Sequence, residues 1–200
     1  SPNLVPFLRA HRHELAAELA IVSDTSMLGV DLPAITSRLR GIVYLEISLE
    51  GPSRDLHSGM YGGAVPNPIH GLARLIASLH DGDGRIAIPG FYDRVQPAAE
   101  VERQGWKELP FDERAFLADV GVLQPAGEKG YSMLERLWAR PCLDVNGIWG
   151  GYAGVGAKTV IPARAHAKLS CRLVPDQRAA EIRDLLTQTL KEGCPQGCRI

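Results

Sequence analysis

From Ile42 to Glu50 the chain alternates without a break: Val43, Leu45, Ile47 and Leu49 fall on one side, and Tyr44, Glu46, Ser48 and Glu50 on the other. Period two puts successive side chains on opposite faces, so the segment predicts a strand covered on one face only. Ala165 to Val174 repeats the pattern, with Ala165, Ala167, Leu169, Cys171 and Leu173 opposite His166, Lys168, Ser170, Arg172 and Val174. Leu143 to Trp149 and Lys158 to Ile161 read as two further strands around the glycine-rich loop Gly150 to Gly156, and Cys198 to Ile200 as a last short one. The period changes between these segments. Ile69, Leu72, Leu75, Ile76 and Leu79 recur three and four apart behind Pro66-Asn67-Pro68, which predicts a helix of about a dozen residues. A second helix starts at Pro175-Asp176, carries Ile182, Leu185, Leu186 and Thr189 on one stripe, and is closed by Gly193 and Pro195.

The order of these elements predicts an α+β fold, a two-layer sandwich whose mostly antiparallel sheet is covered by helices on one face. Residues 85–140 interrupt the pattern with Pro89, Pro97, Pro110 and Pro125 and read as an insertion, with short helices at Asp112 to Val120 and Met133 to Ala139. The first forty residues have another character. Leu4, Leu8, Leu15 and Leu19 predict a helix over 3–19, and Leu19 to Val22 a buried strand ending at Ser23-Asp24, as in a single α/β unit of a parallel sheet. The domains expected are therefore 1–38, a short α/β piece with a hinge, and 39–200, the sandwich with its insertion.

Composition narrows the partners. With 45% apolar residues the chain can fill a core, and 22 basic against 23 acidic residues leave a net charge of −1. No field is available to grip nucleic acid or an anionic membrane, and no apolar run is long enough to span a bilayer. Four scattered cysteines read as reduced thiols, which fits a cytoplasmic protein.

Chemistry concentrates in Asp55-Leu56-His57-Ser58-Gly59-Met60-Tyr61-Gly62-Gly63, where one histidine stands between a strand-like run and a glycine turn. A strand fixes its end while glycines let the backbone turn sharply, so His57 is presented rather than packed. Asp24 follows a predicted strand; its position alone suits a turn cap, or a functional carboxylate at a strand's carboxyl end. His11 and His13 lie two apart on the predicted helix, about 200 degrees round from one another, and cannot share a metal as i, i+4 histidines do.

Taken with Ala157-Lys158-Thr159-Val160-Ile161-Pro162 and Cys171-Arg172-Leu173-Val174-Pro175-Asp176-Gln177, these segments resemble the co-catalytic zinc exopeptidases, a family of dipeptidases, desuccinylases and carboxypeptidases, nearest its dipeptidase branch. The resemblance implies a catalytic domain holding two zinc ions, with manganese as a possible substitute, and a lid domain that forms a homodimer. It implies that Asp24 ligates zinc, that His57 reaches the partner subunit's site and stabilises the oxyanion, and that Arg172 grips the substrate carboxylate. Thr159 would contact the substrate, and Asn146 would line the same cleft. The expected reaction is hydrolysis of the amide bond of a small peptide or N-acyl amino acid. The family's remaining zinc ligands and its paired glutamates have no counterpart in these residues, so the chain alone is expected to be inactive and to hold no metal tightly. The alternative is a non-catalytic dimerisation or protein-interaction module.

Overall fold

The alternating segment becomes strand β1, Gly41–Glu50, in the computed structural model, which describes residues 2–21, 29 and 31–200. The other elements are helix α1 (Leu4–Ala10), β2 (Leu56–His57), α2 (Ser58–Tyr61), α3 (Pro68–Ala77), α4 (Glu100–Lys107), α5 (Glu113–Asp119), α6 (Met133–Trp138), β3 (Cys142–Gly150), β4 (Val160–Ile161), β5 (Arg164–Leu173) and α7 (Ala179–Glu192). The chain divides into two compact units, Ser1–Arg38 and Leu39–Ile200.

In the larger unit β5 is the central strand of a three-stranded antiparallel sheet in the order β1-β5-β3. Its register runs from Gly41↔Leu173 to Glu50↔Arg164 against β1, and from Cys142↔Arg172 to Gly150↔Ala165 against β3. The β3 pairing slips between Val145 and Gly147, which leaves Asn146 as the extra residue of a bulge. Val43, Ile47 and Leu49 of β1 and Ala165, Ala167, Leu169 and Cys171 of β5 share one face. Leu72, Leu75 and Leu79 around α3, with Ile182, Leu186 and Leu190 of α7, close over it. Each such side chain contributes roughly 1.5–3 kcal/mol by leaving water. The small residues Ala165 and Ala167 keep the centre of the sheet low, and α3 comes close enough that a Cβ on Gly71 would meet Leu49 Cδ2 at 2.8 Å. The opposite face carries Tyr44, Glu46, Lys168 and Arg172 and is open. This is the α+β arrangement with helices on one face that the periodicities predict.

The insertion is more ordered than its prolines suggest. The two expected helices are present as α5 and α6, and α4 joins them, its first turn fixed where Glu102 accepts from the Ala99 N–H at 3.0 Å. Glu128 and Arg140, both buried, anchor the segment through two hydrogen bonds of 2.8 Å each, and Arg85 adds a third contact to Glu128 at 3.2 Å. The Arg140 guanidinium also stacks over Tyr131 at 4.2 Å. Ile86, Ile88 and Phe91 plug the insertion's first turns into the main core.

Several boundaries differ from expectation. The helix expected over 3–19 stops at Ala10, and His11 and His13 lie in the turn after it rather than on a helix. No residue of α1 is buried, so its apolar spacing is not converted into packing that would extend so short a helix. Of the expected strand at Leu19 to Val22, residues 19–21 form none, and Val22 lies outside the described residues with Ser23 and Asp24. The strand expected from Lys158 shrinks to Val160–Ile161. The last strand is a single bridge, Glu50↔Arg199, because the turn at Pro195–Cys198 brings only one residue into register with β1. Helix α7 begins three residues later than the expected start at Asp176, which adopts a left-handed φ of 72° incompatible with helix.

Candidate functional site

The chemistry of His57 follows from how its turn is tied down. Strand β2 pairs with β4 through Leu56↔Ile161 and His57↔Val160, and the Ser58 N–H donates to the Thr159 carbonyl at 3.0 Å. Asp55 accepts from the Ala163 N–H at 2.8 Å, which locks the ribbon to the start of β5. His57 then caps the short helix α2, its Nδ1 accepting from the Gly59 N–H at 3.0 Å. A ring nitrogen that accepts a backbone N–H carries no proton, so in the neutral ring the proton sits on Nε2. Nε2 faces Thr159 Oγ1 at 3.2 Å, and both side chains are exposed. The glycine is required for this seat: a Cβ at Gly59 would stand 2.8 Å from His57 Cε1 and 3.0 Å from Nδ1. At Gly63, a φ of +81° lets the chain leave the turn.

Arg172 stands elsewhere. It lies near the far end of β5, on the open face, between Ile42 of β1 and Cys142 of β3. The His57 ribbon hangs from the Arg164 end of the same strand, eight residues away by position, a run of roughly 26 Å at strand rise. Asn146 sits exposed at the β3 bulge, part-way along the sheet edge. The structure thus brings His57 and Thr159 together within one chain, and places Arg172 and Asn146 away from them. Asp24 lies outside the described residues.

Three residues that the sequence did not single out surround Arg172. Arg40 Nη1 donates to Cys142 Sγ at 3.8 Å, and the Cys142 thiol donates to Asp144 Oδ2 at 3.3 Å. Burial, and then the Asp144 carboxylate, push the Cys142 thiol above its ordinary pKa and keep it protonated for that bond. Its neighbour Cys171, on the core face, is pushed by burial up to about 12 and is chemically inert. Arg40 lies two residues before Ile42, in phase with the open face, but only the β1–β5–β3 register shows that its partner Cys142 is the residue facing Arg172.

Among the described residues no group of three or more His, Cys, Asp or Glu side chains could hold a metal ion. No helix among the described residues is long and apolar enough to cross a membrane.

A small antiparallel sheet with helices on one face, holding a histidine out on a glycine turn, defines an α+β module that presents single side chains from its ends. The chain belongs to the peptidase dimerisation domain family of the M20 peptidases, whose pattern matches residues 38–198. It is 39% identical over 167 residues to the Cys-Gly metallodipeptidase DUG1 of Candida albicans, covering 84% of this chain and 34% of that protein. It is 33% identical over 171 residues to the Beta-Ala-His dipeptidase of Rattus norvegicus, covering 86% of this chain and 35% of the relative. Its fold superposes with a TM-score of 0.79 and 31% identity on the M20 family metallo-carboxypeptidase Sso-CP2 of Sulfolobus solfataricus, covering 98% of this chain and 52% of that one. The chain spans about a third of the length of the curated relatives it matches. The resemblance read from the motifs around His57, Thr159 and Arg172 is thereby borne out at the level of the family.

Proposed function

We propose that this chain is the lid and dimerisation portion of a metallopeptidase that hydrolyses dipeptides or N-acyl amino acids, and that it supplies one transition-state contact and one substrate anchor. The observation that carries this reading is the hydrogen bond from the Gly59 N–H to His57 Nδ1, which selects the tautomer. With Nδ1 occupied by the Gly59 N–H, the ring offers a fixed Nε2–H donor at an exposed position. A donor held in place before reaction costs no reorganisation when negative charge develops on a carbonyl oxygen, which is what an oxyanion contact requires. Thr159, the present partner of that proton, holds the ring ready and would meet the substrate beside it.

Arg172 is the anchor for the free carboxylate, since its rigid fork can bond both oxygens at once. Asn146 would line the same cleft. The strand geometry supports action across a homodimer. The amide carbonyl and the terminal carboxylate of a dipeptide lie only a few ångströms apart, whereas His57 and Arg172 of one chain hang from opposite ends of β5. One substrate is then served by the Arg172 of one subunit and the His57 of the other. The zinc pair, or manganese in its place, and the group that moves the proton belong to residues outside those described, with Asp24 as this chain's contribution. The chain alone is inactive in this reading, and the protein is cytoplasmic.

The test uses the full-length protein with zinc or manganese, assayed on Cys-Gly, beta-Ala-His and N-acyl amino acids. His57→Ala and Arg172→Gln should each be nearly dead. Mixed under conditions that exchange subunits, they should recover about a quarter of wild-type turnover, because half of the dimers then hold one intact site. Two variants that stay dead after proven exchange would overturn action in trans, and a wild type inactive on every substrate would overturn the peptidase reading.

A further inference from the structure

The end of the sheet around Arg172 holds more positive charge than one anchor needs. Arg40, the residue just before β1, is in phase with Ile42, which pairs with Arg172 of β5. The Arg40 side chain crosses β5 at the level of Arg172, because its guanidinium reaches Cys142, the residue that faces Arg172 on the other side. Two long cations thus converge on Cys142, one bonding its thiol and the other facing it across the strand pair, and like charges gathered in this way favour an anion between them. The chain supplies little to offset it. Asp144 shares the open face of β3 with Cys142, and its one carboxylate, which accepts from the Cys142 thiol, can offset at most one of the two positive charges. Among the described residues neither guanidinium is ion-paired, and the next acidic group along the face, Glu46, is matched to Lys168 at 3.8 Å. Arg40 is half-buried and donates to a sulfur, a weak acceptor.

We propose that Arg40 and Arg172 together form the seat for the substrate's free carboxylate, with Cys142 and Asp144 holding Arg40 in position. The assignment rests on the reading of Arg172 given above and adds a second binding residue to it. Arg40 donates to the Cys142 thiol; a carboxylate, a far better acceptor, would draw the guanidinium over so that one oxygen is bonded by each arginine. The chemical class recognised is a peptide or acylated amino acid with a free C-terminal carboxylate.

The experiment compares each dipeptide with its C-terminal amide in the full-length metal-loaded protein, using Arg40→Gln, Arg40→Lys, Arg172→Gln and the double variant. Arg40→Gln should raise KM for the free acid about tenfold, leave kcat within about twofold, and leave the amide unchanged. Arg40→Lys should recover part of the loss, because it restores the charge without the fork. In the double variant the loss should be smaller than the product of the two single losses, since both arginines hold one group. Equal losses on acid and amide would make Arg40 a structural residue and overturn the proposal, as would an unchanged KM. If Arg172→Gln separates acid from amide and Arg40→Gln does not, only Arg40 is misassigned. If neither separates them, the reading of Arg172 fails, and this inference with it.

Discussion

The two ends of β5 are built on opposite principles. At the Arg164 end the polar groups are partnered: Glu50 bonds Arg164 and Arg199 and shares two backbone hydrogen bonds with Arg199, Asp55 accepts from Ala163, and the His57 ring is held at both nitrogens. At the Arg172 end two arginines converge on Cys142, and one carboxylate, Asp144, accepts from its thiol. The first end is satisfied within its own chain and exposes the His57–Thr159 pair as a unit, which suits a contact carried to another subunit. The second is left short of an acceptor, as a site should be when its ligand brings the missing charge.

The largest effect is expected away from both ends and serves to test whether they are independent. Removing one partner of the buried pair in the insertion, by Glu128→Ala, should cost about 3–5 kcal/mol, because Arg140 is then left charged and buried without a carboxylate. Denaturant unfolding would measure it. At temperatures where the variant is still folded, its discrimination between acid and amide substrates should match wild type; a variant that lost discrimination as well would show that the insertion shapes the Arg172 end.

Next in size is His57→Ala, which should lower turnover on the order of a hundredfold while leaving metal content and the KM of the free acid nearly unchanged. Parallel loss of metal and turnover would move His57 from a transition-state contact to a metal-site residue. Gly59→Ala probes the same end more gently. Its Cβ would press the ring at 2.8–3.0 Å and push it off its rotamer, at about 0.5–1.5 kcal/mol, so turnover should fall by roughly threefold to tenfold with the fold intact. No change in rate would mean that the seat of the ring does not matter.

The difference between the ends also explains what could be read without coordinates. The sheet was legible because β1 and β5 bury one face each, and burial writes period two into Val43 to Leu49 and Ala165 to Leu173. His57 was legible because its glycines leave a local mark, and Arg172 because it carries part of a family motif. Arg40 was not, since nothing local distinguishes it; its meaning comes from the register that sets it against Cys142, and register is a long-range property of three strands. The same holds for Glu128 with Arg140 and for α4, whose Val101 and Trp106 face outward or onto other parts of the insertion rather than onto a core stripe. The helix expected over 3–19 failed for the opposite reason, an apolar spacing that buries nothing in α1.

The smallest effect concerns how firmly the satisfied end is closed. The Arg199 hydrogen bond, with Arg164 beside it, holds the Glu50 carboxyl below its ordinary range. A carboxylate whose folded pKa is lowered contributes stability that is present above the unfolded pKa and lost as pH falls through the folded one. Wild type should therefore lose a little thermal stability as acid protonates Glu50, through the region below pH 4.5. Glu50→Gln should start slightly lower at neutral pH, fall less steeply, and meet wild type in acid. Salt should shrink the gap at neutral pH, since the group is open to solvent. Two Tm curves that ran parallel down to strong acid would mean that the bridge between Glu50 and Arg199 rests on its backbone hydrogen bonds alone, and the contrast between the two ends would then be one of hydrogen bonding rather than of charge.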